Sequence, residues 1–376
     1  MTIVALSDVA HAVMGQAPPG RECNKDGIGT VFVKAGEFSD RYPVVREWTT
    51  KPLKMAQTGD SLVCVVGATA GKVNQAIDCA IGRSVAAVRP SDQIDSDYLY
   101  RFLDSQVLRL RENSQGAAQG VITRDMLHNL SLPLPSIEEQ RRIATILDKA
   151  DAVRRNHEEA LGLAGEFLKS VFLEIFGDPV LNTNRYPAVP LSEFEKFITS
   201  GSRGWAKYYS EEGQIFLRIG NVGRGDLKLD DLVYVAAPNT AEAKRTRVRK
   251  NDILLSITAD LGRTAVVPEA LTGAHINQHL AIIRLAGISA HYVNAYLSSA
   301  GGQMQFRSLD KVGVKSGLNF SDIRSLRILV PPKSDQSKFE KVLEQNSRTV
   351  ELLKKAKAEA DDLCASVAQR AFRGEL

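Results

Sequence analysis

The chain has 376 residues, with 48 Lys+Arg against 44 Asp+Glu for a formal charge of +4, and 44% apolar and 24% charged side chains. This balance excludes a wholly disordered polymer, and the length exceeds one ordinary domain core, so two or three domains are expected. Apolar runs such as 61–69 are strand-length, too short to span a bilayer. The N-terminal MTIVALSDVAHAV has no basic lead and meets Asp8 early, unlike an export signal. Cys23, Cys64, Cys79 and Cys364 show no C-x-x-C spacing, so a reduced, cytoplasmic setting is expected. Charge is unevenly spread. Residues 1–135 hold 14 basic and 14 acidic side chains, 136–185 hold 7 and 9, 186–332 hold 18 and 13, and 333–376 hold 9 and 8. A basic excess in the third block fits either nucleic-acid binding or an ordinary solvated face.

Residues 1–135 show short β-rich runs at 60–66 and 85–89, broken by Gly, Pro and Asn, with one helix at 97–110. They close on SLPLPS (131–136), which is extended because proline disfavours the helical conformation in the residue before it. At 136–178 the texture changes to one long helix. Ser136 and Glu139 give the S-x-x-E outline of a capping box. Steps of four and three from Ile143 give Leu147, Ala150, Arg154, His157, Leu161, Ala164, Leu168, Val171 and Ile175, the a/d seam of a coiled coil. Residues 186–332 repeat the mixed texture, with strands at 252–258 and 280–285, a helix at 290–306 and the extended ILVPPK (328–333). Residues 333–376 form a second long helix. Its seam runs Phe339, Leu343, Asn346, Val350, Leu353, Lys357, Ala360, Cys364, Val367 and Ala371. Polar seam positions differ between the helices and can select register and partner. A helix of roughly 40 residues is about 60 Å long, at about 1.5 Å per residue, the length of a spacer.

The second texture is a copy of the first. Residues 122–176 align with 318–372 at a constant offset of 196, so Leu130, Leu132, Leu134 and Pro135 fall on Leu326, Ile328, Val330 and Pro331, and Gln140 falls on Gln336. Upstream the offset drifts, as loop insertions require: Gly59-Asp60 matches Asn251-Asp252, Gly71-Lys72 matches Gly262-Arg263, and Ile81 and Arg89 match Ile276 and Arg284. The fold expected is α+β: two tandem mixed α/β heads, each followed by a long helix.

Catalytic motifs are missing. GATAGK (67–72) lacks the Gly and the Ser/Thr that a phosphate loop needs, since Val66 and Val73 stand there. His275 and His279 align with a strand, where they lie too far apart for one metal ion, so no metal site is expected. Asp231 followed by Glu242-Ala-Lys244 has the outline of a nuclease D…E-x-K set, but in an Ala-rich helical stretch without the preceding Pro. There is no N/D-P-P-Y/F motif and no G-x-S-x-G elbow. The chain is expected to catalyse nothing and to use no cofactor.

Leu132-Pro-Leu-Pro-Ser-Ile-Glu-Glu-Gln-Arg-Arg-Ile143, through the long helix to Phe172-Leu-Glu-Ile-Phe-Gly-Asp-Pro179, resembles the conserved region of type I restriction–modification specificity subunits. Leu329-Val-Pro-Pro-Lys-Ser-Asp-Gln336 to Phe372-Arg-Gly-Glu-Leu376 resembles their C-terminal conserved region, although Ser334-Asp-Gln-Ser-Lys departs from the acidic-Gln-Arg pattern. GATAGKV (67–73), GSRGWAKYY (201–209) and INQHLAIIR (276–284) resemble motifs of the family's target-recognition domains, and the likeness covers essentially the full length.

The resemblance implies target-recognition domains at 1–135 and 186–332, and spacer helices at 136–178 and 333–376 that pair as an antiparallel coiled coil. It implies a non-catalytic subunit that reads a bipartite site in double-stranded DNA. Its partners would be methyltransferase subunits, two of them, which bind S-adenosylmethionine, and through them restriction subunits. Phosphate contacts would supply affinity and base-edge contacts the choice of sequence. The expected DNA-facing residues lie in equivalent loops: Gln115, Gln119 and Thr123 in the first copy, and Lys311, Lys315, Ser316 and Asn319 in the second. Lys72 and Arg263 in the matched Gly loops, and Arg203 and Lys207 in GSRGWAK, complete the set. The alternative is a coiled-coil adaptor whose duplicated heads bind proteins.

Overall fold

The computed structural model describes residues 2–115, 120–310 and 317–376. They divide into two compact units, Met1–Ala160 with Leu353–Leu376, and Leu161–Leu352. Each unit combines one head with a part of each long helix.

The first head is built on an antiparallel sheet of order Ala10–Met14, Val85–Pro90, Ser61–Cys64, Val73–Gln75. A second sheet runs Cys23–Asn24, Trp48–Thr49, Thr30–Val33, Cys79–Ile81, Met55–Ala56, with Thr30–Val33 parallel to Cys79–Ile81. Thr2–Ala5 closes the head by pairing with Ser131–Leu134. The second head repeats this plan. Its antiparallel sheet runs Glu195–Ser200, Leu280–Leu285, Ile253–Ser256, Thr264–Val266, and Ala188–Pro190 pairs with Arg327–Leu329. Its other sheet runs Tyr209–Ser210, Val233–Val235, Gln214–Leu217, His275–Ile276, the last pair again parallel. The duplication read from the residues is therefore a duplication of strand order.

The matched residues explain what is repeated. Asp60 is 1% exposed, and Arg89 grips it with Nε at 3.0 Å and Nη2 at 2.8 Å. Asp252 is 0% exposed, and Arg284 grips it with both nitrogens at 2.7 Å. The same carboxylates accept backbone N–H bonds from Gln57 and Arg249, so each also pins the turn before its strand. A buried carboxylate held this way cannot lose its arginine without being stranded in low dielectric. Gly71 and Gly262 have φ of +87° and +79°, and they lie against helices Val107–Gln115 and Ala300–Leu309, at Val107 and Phe306 respectively. A side chain at Gly262 would come within 2.5 Å of the Phe306 ring.

Each helix expected as one piece is two. Ser96–Ser105 is followed by Val107–Gln115, and Ala290–Ser298 by Ala300–Leu309. In the second head Ser299 is extended (ψ 170°), and the Ser-Ser-Ala-Gly-Gly run around it has poor helix propensity.

The long helices run Ile137–Phe176 and Lys333–Ala371. Every seam position, from Ile143 to Ile175 and from Phe339 to Ala371, is buried or half-buried. In the first unit Ile143 and Leu147 share a core with Val367, Ala368 and Ala371. In the second, Val171, Phe172 and Phe176 share one with Phe339 and Val342. Early residues of one helix meet late residues of the other in both, so the pairing is antiparallel. Ser136 Oγ accepts from Glu139 N at 3.3 Å, while the Glu139 carboxylate turns to Arg142 at 2.8 Å. No helix among the described residues is long and apolar enough to cross a membrane.

Each head is fixed to the start of its own long helix by one buried glutamine. Gln140 Oε1 accepts from Asp95 N at 2.7 Å, and its Nε2 donates to Gln93 O and Pro135 O. Gln336 Oε1 accepts from Ser289 N at 2.8 Å, and its Nε2 donates to Pro331 O. A tyrosine adds a second tie: Tyr98 donates to Pro133 O at 2.7 Å, and Tyr292 to Leu329 O at 2.8 Å.

Candidate nucleic-acid interface

Sites that bind duplex DNA need exposed cations whose charge is not already neutralised by neighbouring carboxylates. The second head supplies them around Trp205. Gly201 to Lys207 leaves the end of strand Glu195–Ser200, and Arg203 and Lys207 project from it, both exposed. Trp205 is 6% exposed and lies in one small core with Phe216, Val235 and Ala243. Its ring stands 4.9 Å from that of His275. Ala243 leads into Lys244-Arg-Thr-Arg-Val-Arg-Lys250, where Thr246 and Val248 are buried and the five cations are exposed. Arg247 bridges antiparallel to His275, which extends the sheet by one short edge segment. Arg245 Nη1 bonds Thr199 Oγ1 and, at 3.0 Å, Ser200 O. The 201–207 and 244–250 segments thus meet at one border.

Among the described residues Arg203, Lys207, Lys244, Arg245, Arg247 and Arg249 form no ion pair with a carboxylate, whereas Lys250 pairs with Glu269 at 3.0 Å. Lys207 Nζ also sits 5.0 Å over the Tyr208 ring, which holds the charge at the surface. Sequence reasoning had named Arg203 and Lys207 but missed the run beside them. The signal is in the residues: KRTRVRK (244–250) is a dense basic run that follows directly on Glu242-Ala.

His275 is 1% exposed, with Nδ1 at 3.4 Å from Thr246 Oγ1. Burial, reinforced by the Arg247 charge, lowers its pKa to about 4, so at neutral pH it is an uncharged part of the core. The 275–279 run is not a single strand as expected. An Asn277 side chain accepting from His279 N at 3.2 Å turns the chain after Ile276, and His279 Nδ1 lies 2.5 Å from Thr258 Oγ1. Among the described residues no group of His, Cys, Asp and Glu could hold a metal ion.

The remaining candidates sit as follows. Lys72 is half-buried, with Nζ 3.5 Å from Phe38 O. Arg263 Nε donates to Asp260 Oδ2 at 2.6 Å, so the cation of the second Gly loop is internally paired. A cleft of about 500 Å³ opens beside it, lined by Arg224, Asp260, Gln303, Arg307 and Asp310 among others. Thr123 and Asn319, equivalent in the repeat, are N-caps: Thr123 Oγ1 accepts from Met126 N at 3.2 Å and Asn319 Oδ1 from Asp322 N at 2.9 Å. They start the short helices Arg124–His128 and Phe320–Ser325, so the loops expected to end at these two residues lead directly into helices. Gln115 is the last residue of helix Val107–Gln115. Gln119, Lys311, Lys315 and Ser316 lie outside the described residues.

A family model described as the type I restriction modification DNA specificity domain matches residues 1–161 and 214–361, well over half of the chain. The putative type I restriction enzyme MjaX specificity subunit of Methanocaldococcus jannaschii is 31% identical over 167 residues, which cover 43% of this chain and 39% of that protein. The EcoBI specificity subunit of Escherichia coli is 21% identical over 419 residues, covering 99% of this chain and 85% of the other. Among solved structures, a chain reported under "Structural basis underlying complex assembly and conformational transition of the type I R-M system" superposes with a TM-score of 0.61 at 18% identity, covering 100% of this chain and 98% of that one. The type I S subunit from M. genitalium superposes with a TM-score of 0.57 at 16% identity, covering 99% and 96%.

Proposed function

The chain belongs to the family of type I restriction–modification DNA specificity subunits, and from that premise we propose that it reads a bipartite site in duplex DNA without catalysing a reaction itself. The observation that carries the proposal is the duplication: two heads of one strand order, each latched to the start of its own long helix by a buried glutamine. In this reading residues 1–135 and 186–332 are the two target-recognition domains, and 136–178 and 333–376 are spacers. A diverged pair of heads suits an asymmetric site with two half-sites, and helix length sets the gap between them. The helices recruit methyltransferase subunits, two of them, and through these the restriction subunits, in the cytoplasm. The partners supply S-adenosylmethionine chemistry; this chain supplies the address.

The DNA-facing set comprises Arg203 and Lys207, the neighbouring 244–250 run, Lys72, Arg263 and the loops carrying Gln115, Gln119, Thr123, Lys311, Lys315, Ser316 and Asn319. Methylome sequencing of cells carrying the full chain with its methyltransferase partner tests the reading. A methylated motif in two parts with a fixed gap is expected, and inserting one heptad in both long helices should change the gap and leave the two half-motifs alone. Absence of any duplex affinity at low salt by the complete methyltransferase complex would favour the protein-binding adaptor instead.

A further inference from the structure

The two heads place the same edge segment in the same position and fill it with opposite chemistry. In the first head Met55 pairs antiparallel with Ala80, whose strand runs parallel to Phe32 and Val33. In the second, Arg247 bridges antiparallel to His275, whose strand runs parallel to Phe216 and Leu217. Met55 and Arg247 are therefore equivalent, and at the same offset, which also aligns Asp60 with Asp252, so are Leu53 with Arg245 and Gln57 with Arg249. All six are exposed, Leu53 at 37% and Met55 at 41%. One face of the edge is thus apolar and neutral in the first head. In the second it carries three guanidinium groups, Arg245 at the end of the short helix Ala241–Arg245 and Arg247 and Arg249 on the segment that follows it.

Both heads pair several cations elsewhere: Arg41 with Asp97 and Asp148, Arg89 with Asp60, and Lys34 with Glu47 in the first, and Arg218 with Asp231, Arg263 with Asp260, and Arg284 with Asp252 in the second. The edge arginines differ in having no carboxylate partner among the described residues. In the second head the edge row adjoins Arg203 and Lys207, and the net excess of basic residues lies in the same block.

Resting on the DNA-reading proposal above, we infer that the edge Arg245, Arg247 and Arg249 is a phosphate-backbone clamp present only in the second head. This head supplies most of the salt-dependent affinity of the whole chain, and the first head engages its half-site mainly through contacts that salt does not screen. Arg245, tied to Thr199 and Ser200, is the anchored end of the clamp; Arg247 and Arg249 are its free members.

The test uses the full chain in its methyltransferase complex and a duplex carrying the motif found by methylome sequencing, with affinity measured between about 50 and 200 mM salt. Each phosphate contact removed should flatten the slope of log K against log[salt] by about 0.9. R245Q/R247Q/R249Q should therefore flatten it by up to about 2.7 while the methylated motif stays the same. R247Q/R249Q, which spares the anchored arginine, should flatten it by up to about 1.8 with an unchanged unfolding midpoint. Conversely L53R/M55R/Q57R should steepen the slope. An unchanged slope in the folded double variant overturns the clamp, as does an equal flattening by K51Q/K54Q in the first head. If the unmodified complex binds no duplex at all, the DNA reading itself fails and takes the clamp with it.

Discussion

Both units pack a phenylalanine against the matched tyrosine, Phe372 on Tyr98 in the first and Phe176 on Tyr292 in the second. The first adds buried charge at the start of the first long helix, whereas the second adds the rings of Phe172 and Phe339. In the first, Arg101, 6% exposed, reaches Asp148 at 2.6 Å and Asp151 at 3.1 Å, and Arg41 reaches Asp148 at 2.9 Å. In the second, Phe176 lies 4.6 Å from Tyr292 and 5.5 Å from Phe339, with Phe172 against all three. Equivalent positions carry this difference: Phe339 stands where the first copy has Ile143, and Phe172 where the second has Ala368. A duplicated backbone plan thus tolerates either solution. Strand order and the glutamine and tyrosine ties rest on positions both copies share, while the side chains packed around the helices and the edge chemistry have diverged.

If the shared frame is the right description, its largest consequence lies at the buried aspartates. D252A should destabilise the second unit by about 3–5 kcal/mol, because Arg284 is left buried without its partner. D60A should act in the same direction with a smaller cost, since Arg89 is about one-third exposed and can recover water. Denaturant unfolding of the full chain checks the order; equal tolerance of both would break the shared-frame argument.

The next effect separates the heads. His275 occupies the position of Ala80, so only the second head buries an imidazole there. Its folded pKa of about 4 lies below the ordinary 6.5, so the unfolded chain binds the extra proton first on acidification. Stability is complete above pH 6.5 and declines as pH falls toward 4, by a total on the order of 3 kcal/mol. Hydrogen exchange at His275–Ile276 should accelerate over that window while Cys79–Ile81 does not, and H275F should abolish the acid response.

The glutamine latches should behave alike in both units. Q140L and Q336L each strand a buried backbone N–H, that of Asp95 or Ser289, at about 1–3 kcal/mol. A cost in one copy alone, by thermal unfolding, would show that the latches are not equivalent. The smallest effect belongs to the caps: T123A and N319A should each cost about 1 kcal/mol, local to Arg124–His128 and Phe320–Ser325. If either substitution also changed the methylated motif, that residue would serve the DNA as well as the helix.

Much of this was legible in the residues because it depends on local periodicity and on repetition. The seam from Ile143 and from Phe339 follows from a spacing rule that any amphipathic helix obeys, and the matched Asp60/Asp252, Arg89/Arg284 and Gln140/Gln336 marked positions that a common frame requires. Loop 275–279 and the split helices at Ser299 were misjudged because an Asx turn and one extended serine reset the chain locally against the pattern around them. Thr123 and Asn319 looked like free polar groups, yet their oxygens are committed to backbone N–H groups three residues on.

By itself, then, the sequence determined the duplication, the two long seamed helices and the absence of familiar catalytic motifs, all properties carried by spacing and identity along the chain. Only the tertiary structure decided which cations remain unpaired. Arg263 and Arg245 are the same side chain on paper, but Asp260 is folded against one and only a hydroxyl and a carbonyl against the other. Net charge cannot distinguish them, because neutralisation happens through space between residues brought together by strand order.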